Sequence, residues 1–197
     1  MVYNLGIYEK GKYASHKNGK RAKNYLDWQS MLARAGQAGK CKPYPTYFDC
    51  SICEDWIHFQ RFAEWHEENY YKVEGSKIQL DKDLLIQGNK IYSPETCVFA
   101  PSWLNTFIIS SKISRGEHPL GVCFNKRNGK YKAQCSVNGA QKYLGYFTTP
   151  EEAHVRYVEF KRSLVPDILL RLKESLIPTE IYNKLEVALY TYDYSKG

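Results

Sequence analysis

The stretch that decides the fold is GVCFNKRNGKYKAQCSVNGAQKYLGYFTTPEEAHVRY, residues 121–157 of a chain of 197. Two turn signals interrupt it, a polar and basic turn at 125–129 and the dipeptide Asn138-Gly139. Asn-Gly between runs of alternating polar and apolar residues is typical of a tight β-hairpin. The stretch therefore predicts a three-stranded antiparallel sheet, followed by a helix that begins at TTPEEA.

The central strand of this sheet alternates between two kinds of side chain. Because successive residues of a strand point to opposite faces, the alternation assigns one face to the core and the other to the outside. The predicted inner face carries Tyr131, Ala133, Cys135 and Val137. The predicted outer face carries Lys130, Lys132, Gln134 and Ser136, with Tyr143 from the third strand.

A helix supplies the cover that the inner face requires. Thr149 is a suitable N-cap, Pro150 suits the first helical position, and acids in the first turn favour the positive end of the helix dipole. Apolar residues then recur at helical spacing, as Ala153, Tyr157 and Phe160. We therefore expect the helix to pack across the sheet.

Positive charge is concentrated on this sheet. Five lysines and arginines lie between residues 120 and 146, and that interval contains no acid. Such a surface favours nucleic acid, because a narrow β-ribbon fits the DNA major groove, where lysine meets phosphate or guanine and glutamine pairs with adenine. The predicted DNA contacts are Lys126, Arg127, Lys130, Lys132, Gln134, Lys142 and Tyr143. The alternative is a polar sheet face that meets only solvent.

The same residues resemble the Apetala-two (ethylene-response-factor type) DNA-binding domain. The family pattern runs Gly-Val, Gly-Lys-aromatic-x-Ala, Leu-Gly-x-Phe and Thr-x-Glu-Glu-Ala, and then a helical tyrosine. The matching positions are Gly121, Val122, Gly129, Lys130, Tyr131, Ala133, Leu144, Gly145, Phe147, Thr149, Glu151, Glu152, Ala153 and Tyr157. The resemblance implies that the sheet reads the major groove. Base preference does not carry over, because Cys123 replaces an arginine and Tyr143 a tryptophan that are common in the family.

Composition limits the class of protein. The chain is 43% hydrophobic, carries a formal charge of +7 and contains 17 tyrosines. This content is sufficient for one or two small domains with real cores. The sequence shows no long apolar run, no secretory leader and no low-complexity tract, so we expect a soluble intracellular protein without a membrane partner.

The positive charge lies in two blocks. Residues 1–27 have six basic and two acidic side chains, and residues 112–163 have ten and four. The first block contains KGKYASHKNGKRAKNY, which is polar and lacks hydrophobic periodicity. We expect a basic arm that becomes ordered on a partner, along phosphates or in a minor groove. A tail that only aids solubility is the alternative.

The central and C-terminal regions predict helices. Apolar residues recur at helical spacing in 26–36 and in 55–69, and again after Pro166. The aromatic face of the second segment favours a core and carries Trp56, Phe59, Phe62 and Trp65. We expect His58 and His66 to be structural or exposed, since neither has a further ligand at metal-binding spacing. The C-terminal helices either complete a core or present a surface to another copy or a host protein.

The segment IQLDKDLLIQGNKIYSPETCVFAPSWLN, residues 78–105, predicts a strand, a turn at Gly88-Asn89, a second strand and a helix. This order resembles the ββα-metal motif of HNH endonucleases. In that motif an aspartate and a general-base histidine end the first strand, and a helix asparagine joins the aspartate in holding one divalent ion. The resemblance places Asp81 at the aspartate position and Asn105 at the asparagine position. Lys82 stands where the histidine belongs.

Lys82 at the general-base position argues against catalysis. An ordinary lysine is a cation at neutral pH, so Lys82 would neither accept a proton from water nor favour a metal ion nearby. Losing one general base costs on the order of 100-fold to 10,000-fold in rate. Asp83 offers a second carboxylate, so Asp81, Asp83 and Asn105 remain candidate ligands for magnesium or manganese. The alternative is that Asp81, Lys82 and Asp83 form only a charged turn.

A Cys-x-x-Cys spacing at Cys50 and Cys53 is a possible zinc site. Structural zinc sites have four ligands, usually as two such pairs, and the second pair is missing. Cys41 and Cys97 would have to converge on the first pair from a loop and a strand. Buried, reduced thiols are therefore the default interpretation of the six cysteines.

Taken over nearly its full length, the chain resembles phage-encoded HNH and Apetala-two proteins related to homing endonucleases. The resemblance implies an α+β fold and, for a phage protein, the cytoplasm of the bacterial host. The expected domains are a basic arm at 1–27, an HNH-like domain at 28–111, an Apetala-two-like domain at 112–163 and C-terminal helices at 164–197. Three functions remain open: a double-stranded DNA-binding protein without cleavage activity, a metal-dependent nicking endonuclease, and a host-directed protein-binding factor or inhibitor.

Overall fold

The computed structural model describes residues 1–36, 49–108 and 117–196, and the chain forms two compact units. The first unit comprises residues 1–72 and 77–100, and the second comprises 73–76 and 101–197. The first unit contains β1 (His16–Lys17), β2 (Lys20–Arg21), α1 (Lys23–Gly36), β3 (Ser51–Ile52), α2 (Glu54–Ile57), α3 (Phe59–Asn69), β4 (Ile78–Asp81), β5 (Ile91–Tyr92) and β6 (Val98–Pro101), whose last residue belongs to the second unit.

The second unit contains α4 (Ser102–Ile108), β7 (Val122–Asn125), β8 (Lys130–Val137), β9 (Ala140–Phe147), α5 (Pro150–Ser163), α6 (Val165–Glu174) and α7 (Thr179–Thr191). The expected α+β character is confirmed at this level, as helices, several small sheets and one three-stranded antiparallel sheet. An HNH-type hairpin stays a prediction, although β4 and β6 do pair in a two-stranded sheet.

Aromatic side chains form the core of the first unit, as their helical spacing predicts. Trp28 of α1 and Phe59 of α3 are fully buried, with ring centroids 5.4 Å apart. Trp56 and Phe62 meet edge to face at 5.1 Å, a favoured arrangement for aromatic rings. Burying large aromatic side chains in this way holds the short elements of this unit together.

The helix predicted for 55–69 is broken in two at His58. This residue has extended backbone angles, φ −85° and ψ 122°, and it pairs with Ile7 in a parallel bridge. The amide of Phe59 donates to the carbonyl of Ile7 at 3.0 Å, and the amide of Ile7 donates to the carbonyl of Ile57 at 2.9 Å. The N-terminal segment therefore takes the backbone hydrogen bonds that a continuous helix would use.

Residues 16–21 form a hairpin where the sequence predicted an irregular basic arm. The strands β1 and β2 pair antiparallel, and Asn18 and Gly19 between them have φ values of 52° and 72°. Two positive φ values in a two-residue loop define the type I′ turn, for which Asn-Gly is the preferred sequence. Hydrophobic periodicity does not report this local turn signal, so the hairpin was not expected, and the ordering of the arm on a partner stays a prediction.

The three-stranded sheet of the second unit follows the sequence prediction closely. Its order is β7-β8-β9 and both pairings are antiparallel. Asn138 and Gly139 connect β8 to β9 with φ values of 50° and 81°, again a type I′ turn. Ala133 and Cys135 are buried beneath α5, and Ala153 and Tyr157 of α5 are buried with them.

The buried Lys161 of α5 connects α5 to α4 within the second unit. Its ammonium group donates to the carbonyl of Phe107 and lies 4.0 Å from the centroid of that residue's ring. Burial lowers the pKa of Lys161, because an enclosed position disfavours the charged form. The carbonyl near the end of α4 and the aromatic ring together offset part of that cost.

The N-terminus of α5 has the cap that the sequence predicts. The hydroxyl of Thr149 accepts from the amide of Glu152 at 3.2 Å, and the Glu152 carboxylate accepts from the amide of Thr149 at 3.3 Å. These reciprocal bonds form a capping box, which satisfies amide groups that the first turn of a helix otherwise leaves unpaired.

We expect Thr149→Ala to lower the free energy of unfolding of the second unit by about 1 kcal/mol, the usual contribution of a threonine N-cap. Hydrogen exchange of α5 amide groups in increasing urea measures this loss locally. Thr149→Ser keeps the hydroxyl and serves as the control. Equal protection in the alanine and serine variants would show that the cap does not stabilise α5.

Candidate nucleic-acid interface

The exposed face of the three-stranded sheet gathers the polar residues of β8. Lys130, Lys132, Gln134 and Ser136 alternate with the buried positions of that strand. The pairing of the strands places Asn125 opposite Lys130, Tyr146 opposite Lys132 and Tyr143 opposite Gln134. Since paired residues share a face, these seven residues form one surface, which we call the outer sheet face.

A β-bulge brings two tyrosines onto this face. Ala133 pairs with Gly145 and Gln134 pairs with Tyr143, so Leu144 is an extra residue in β9. One extra residue reverses the alternation, and Tyr143 and Tyr146 therefore lie on the same side although three positions separate them. Their ring centroids are 5.3 Å apart, and their residues are 56% and 40% exposed.

Tyr146 and Asn125 belong to the outer sheet face although the sequence did not predict them there. The side-chain amide of Asn125 donates to the hydroxyl of Tyr146 at 2.7 Å. This bond links the edge strands β7 and β9 across the central strand β8. Gly145, with φ 137°, was the available signal, since an isolated glycine within a strand often marks a bulge. The outer sheet face is thus more aromatic than simple alternation predicts.

Lys142 lies on the opposite side of the sheet. It pairs with the buried Cys135, and its ammonium group is 5.7 Å from the ring centroid of Phe160 in α5. Lys142, as one of the five basic residues of this segment, is among the DNA contacts that the sequence predicts. Adjacent residues of a strand face opposite sides, so Lys142 lies on the helix side and does not share the outer sheet face with Tyr143.

The turn from β7 to β8 presents two more cations at one end of the sheet. Lys126 and Arg127 are exposed, and the Asn125 side-chain oxygen accepts from the amide of Arg127 at 3.0 Å. The Asn128 side-chain oxygen accepts from the amide of Lys130 at 3.2 Å. These local bonds fix the turn, as asparagine side chains commonly do.

None of the four cations Lys126, Arg127, Lys130 and Lys132 forms an ion pair within the part of the chain that the structure describes. The sequence explains this, because residues 118–147 include no aspartate or glutamate. Positive charge on the turn and the outer sheet face is therefore not neutralised from within. Such a surface is suited to an anionic partner of extended shape.

The residues at the HNH-like positions form a turn in the first unit. One carboxylate oxygen of Asp81 accepts from the amides of Asp83 and Leu84, at 2.9 and 2.8 Å. Burial, and secondly the charge of Asp83, raise the pKa of the Asp81 carboxyl to about 6. Asp81 therefore acts here as the acceptor of a side-chain to backbone turn.

Lys82 is turned into the loop that follows. It is 5% exposed, and its ammonium group donates to the carbonyl of Asn89 at 3.0 Å and to the Asp83 carboxylate at 3.1 Å. The Asn89 side chain donates back to the carbonyl of Lys82 at 2.6 Å. These bonds close the loop 82–89. Asn105, the other HNH-like position, is buried in α4 of the second unit.

The cysteines do not form a metal-binding group among the residues described. Cys50 is buried, Cys53 is half-buried, and burial raises the pKa of both thiols. A raised pKa disfavours the thiolate, which is the form that binds zinc. Within 1–36, 49–108 and 117–196 no cluster of three or more His, Cys, Asp or Glu side chains could hold a metal ion. Cys41 lies outside the described residues.

Comparisons of the chain with protein-family models, curated proteins and solved structures found no match. Over the residues that the structure describes, no helix is both long and apolar enough to cross a membrane. The outer sheet face and the geometry around Asp81 and Lys82 are therefore the features that bear on function.

Proposed function

We propose that this chain binds double-stranded DNA through the outer sheet face. The observation that carries the proposal is the combination of unneutralised lysines with exposed tyrosines on a single face of a three-stranded sheet. Cations supply the phosphate contacts that dominate affinity, while base edges are recognised by side chains that reach into the major groove.

Each residue type on the face has a function in such a complex. Lys130 and Lys132 meet phosphates or the acceptor edge of guanine, and the amide of Gln134 matches the donor and acceptor pair of adenine. Tyr143 and Tyr146 offer ring area for sugars or thymine methyl groups. Lys126 and Arg127, at the end of the sheet, meet the phosphate backbone.

Salt dependence of binding tests the proposal. Each phosphate neutralised by a cation contributes roughly −0.9 to the slope of log K against log salt concentration, so four cations give a slope of about −4 or steeper. Fluorescence anisotropy with a labelled duplex of about 30 base pairs measures that slope. A protein that fails to bind duplex DNA at low salt would contradict the proposal and favour a protein-binding function.

We propose further that the protein does not cleave the DNA it binds. Two observations favour this: Lys82 places a cation in an ion pair where the related motif needs a proton acceptor, and Asp81 uses one oxygen to accept from backbone amides. A metal-dependent nuclease needs a base and an open metal site at this position.

We expect supercoiled plasmid to remain intact when incubated with the protein and either magnesium or manganese. The loss of one general base costs on the order of 100-fold to 10,000-fold in rate, which removes detectable nicking. Gel electrophoresis of the plasmid measures the outcome. Metal-dependent nicking that disappears in Asp81→Ala would overturn this part of the proposal and identify a nicking endonuclease.

A further inference from the structure

A second basic surface lies in the first unit, on the β1–β2 hairpin. All four strand residues of the hairpin are exposed, and they are His16, Lys17, Lys20 and Arg21. The amide of Ala22 donates to the carbonyl of Ser15 at 2.8 Å and closes the base of the hairpin. The hairpin is therefore a narrow ribbon whose strand residues are basic throughout.

The segment that leads into the hairpin is fastened to α3 by one glutamine. The Gln60 side chain donates to the carbonyls of Tyr13 and Glu9, at 2.9 and 3.1 Å, and accepts from the amide of Tyr13 at 3.0 Å. A side chain that makes three bonds to a preceding segment fixes its path over the helix. The basic hairpin is therefore held in a defined position on the surface of the first unit.

Two acids on the elements that follow the hairpin already have partners. Glu67 accepts from Lys12 at 3.0 Å and from the hydroxyl of Tyr13 at 2.7 Å, and the bonds from Tyr13 and Lys12 hold the pKa of Glu67 below its ordinary value. Asp27 pairs with Lys23 and accepts from the ring of the buried His66 at 3.0 Å. Neither carboxylate is left to neutralise the hairpin.

An open cleft of about 840 Å³ lies against the hairpin and is lined by Lys17, Lys20, Arg21, Lys23, His66 and Glu67 among others. In the described part of the chain, Lys17, Lys20 and Arg21 form no ion pair, and Arg21 makes a single bond of 3.4 Å to the neutral Gln29. Three positive charges that have no ion-pair partner among the described residues therefore line this cleft.

We propose that the β1–β2 hairpin and its cleft bind the phosphate backbone of DNA. This would be a second DNA contact, made by the first unit, in addition to the contact made by the outer sheet face of the second unit. The proposal rests on the proposed DNA-binding function. Phosphate is favoured over an acidic protein because residues 15–21 include no apolar side chain, whereas the centre of a specific protein interface is apolar or aromatic. Lysine, arginine and backbone amides are sufficient for phosphate.

The variant Lys17→Glu/Lys20→Glu tests the second contact by the same anisotropy titration with a duplex of about 30 base pairs. We expect an affinity about 10-fold to 100-fold lower at about 0.1 M salt and a salt slope less steep by about 2, because two phosphate contacts are lost. The neutral variant Lys17→Gln/Lys20→Gln should show the same change of slope with a smaller loss of affinity. Both positions are exposed, so the fold should be kept, and thermal unfolding checks this.

Lys142→Glu/Lys173→Glu is the matched control, because it makes the same change of charge at exposed positions outside both surfaces. Its affinity should stay close to that of the wild type. If the hairpin variant binds as the control does, the second contact is overturned, while the outer sheet face still stands on its own variant. If the hairpin variant alone loses binding, the second contact is supported and the outer sheet face is not. Absence of wild-type binding would overturn both.

Discussion

Lys130→Glu/Lys132→Glu should reduce the affinity for duplex DNA by on the order of 100-fold and make the salt slope less steep by about 2. Both lysines lie on the central strand, and they share a face with Tyr146 and Asn125. A bidentate contact of lysine with guanine is worth roughly 1–3 kcal/mol, and charge reversal adds repulsion from the phosphate backbone. The loss should therefore be larger than for any single substitution on the face.

The control for this prediction comes from the same sheet. Lys142 is on the neighbouring strand but on the helix side, so Lys142→Glu/Lys173→Glu changes the net charge equally without touching the outer sheet face. Anisotropy titrations of the two double variants side by side separate a specific face from net charge. Equal losses in both would show that the protein attracts DNA only through its overall charge.

Gly121→Ala should lower the free energy of unfolding of the second unit by about 2–5 kcal/mol. Gly121 has φ 76°, and a Cβ placed on it would overlap the ring of Tyr157 in α5. The left-handed conformation costs an alanine about 1–2 kcal/mol, and forcing extra volume into a packed contact costs about 1–3 kcal/mol more. The carbonyl of Gly121 also accepts from the amide of Gln134 at 2.8 Å, so a shift there disturbs the central strand.

Gly139→Ala separates the two causes. Gly139 has φ 81° in the turn between β8 and β9, but no atom lies within 4 Å of a Cβ built there. It should therefore lose only about 1–2 kcal/mol from backbone strain. Hydrogen exchange of β8 amide groups in increasing urea measures both variants in the relevant unit. Equal losses would mean that the approach of Gly121 to Tyr157 does not stabilise the sheet.

The sequence predicts those features of this protein that depend on residues close together in the chain. Asn138-Gly139 gives the hairpin turn, the alternation of residues 130–137 gives the two faces of the central strand, and Thr149 with Glu152 gives the helix cap. Each of these signals acts within about four residues, through backbone conformation or a local hydrogen bond. Neighbouring residues are therefore sufficient to specify them.

The helix break at His58 shows that local signals do not predict contacts between residues far apart in the chain. The aromatic periodicity of 55–69 is helical throughout, and it correctly predicts the buried side. The helix is nevertheless interrupted, because Ile7, which lies far earlier in the chain, takes its backbone hydrogen bonds. Likewise, β3 pairs in parallel with β5, and no signal in the local sequence of either strand predicts that pairing.

Some properties of the candidate interface follow from the sequence, and others follow only from the fold. Its lysines, its glutamine and the absence of acids are properties of the sequence, and so is the replacement of a general base by Lys82. Only the tertiary structure decided that Tyr146 joins Tyr143 on the outer sheet face and that Lys82 is turned into its loop. The physical reason is that a bulge or a buried ammonium group is selected by the partners it meets across strands and loops, which only the folded chain brings together.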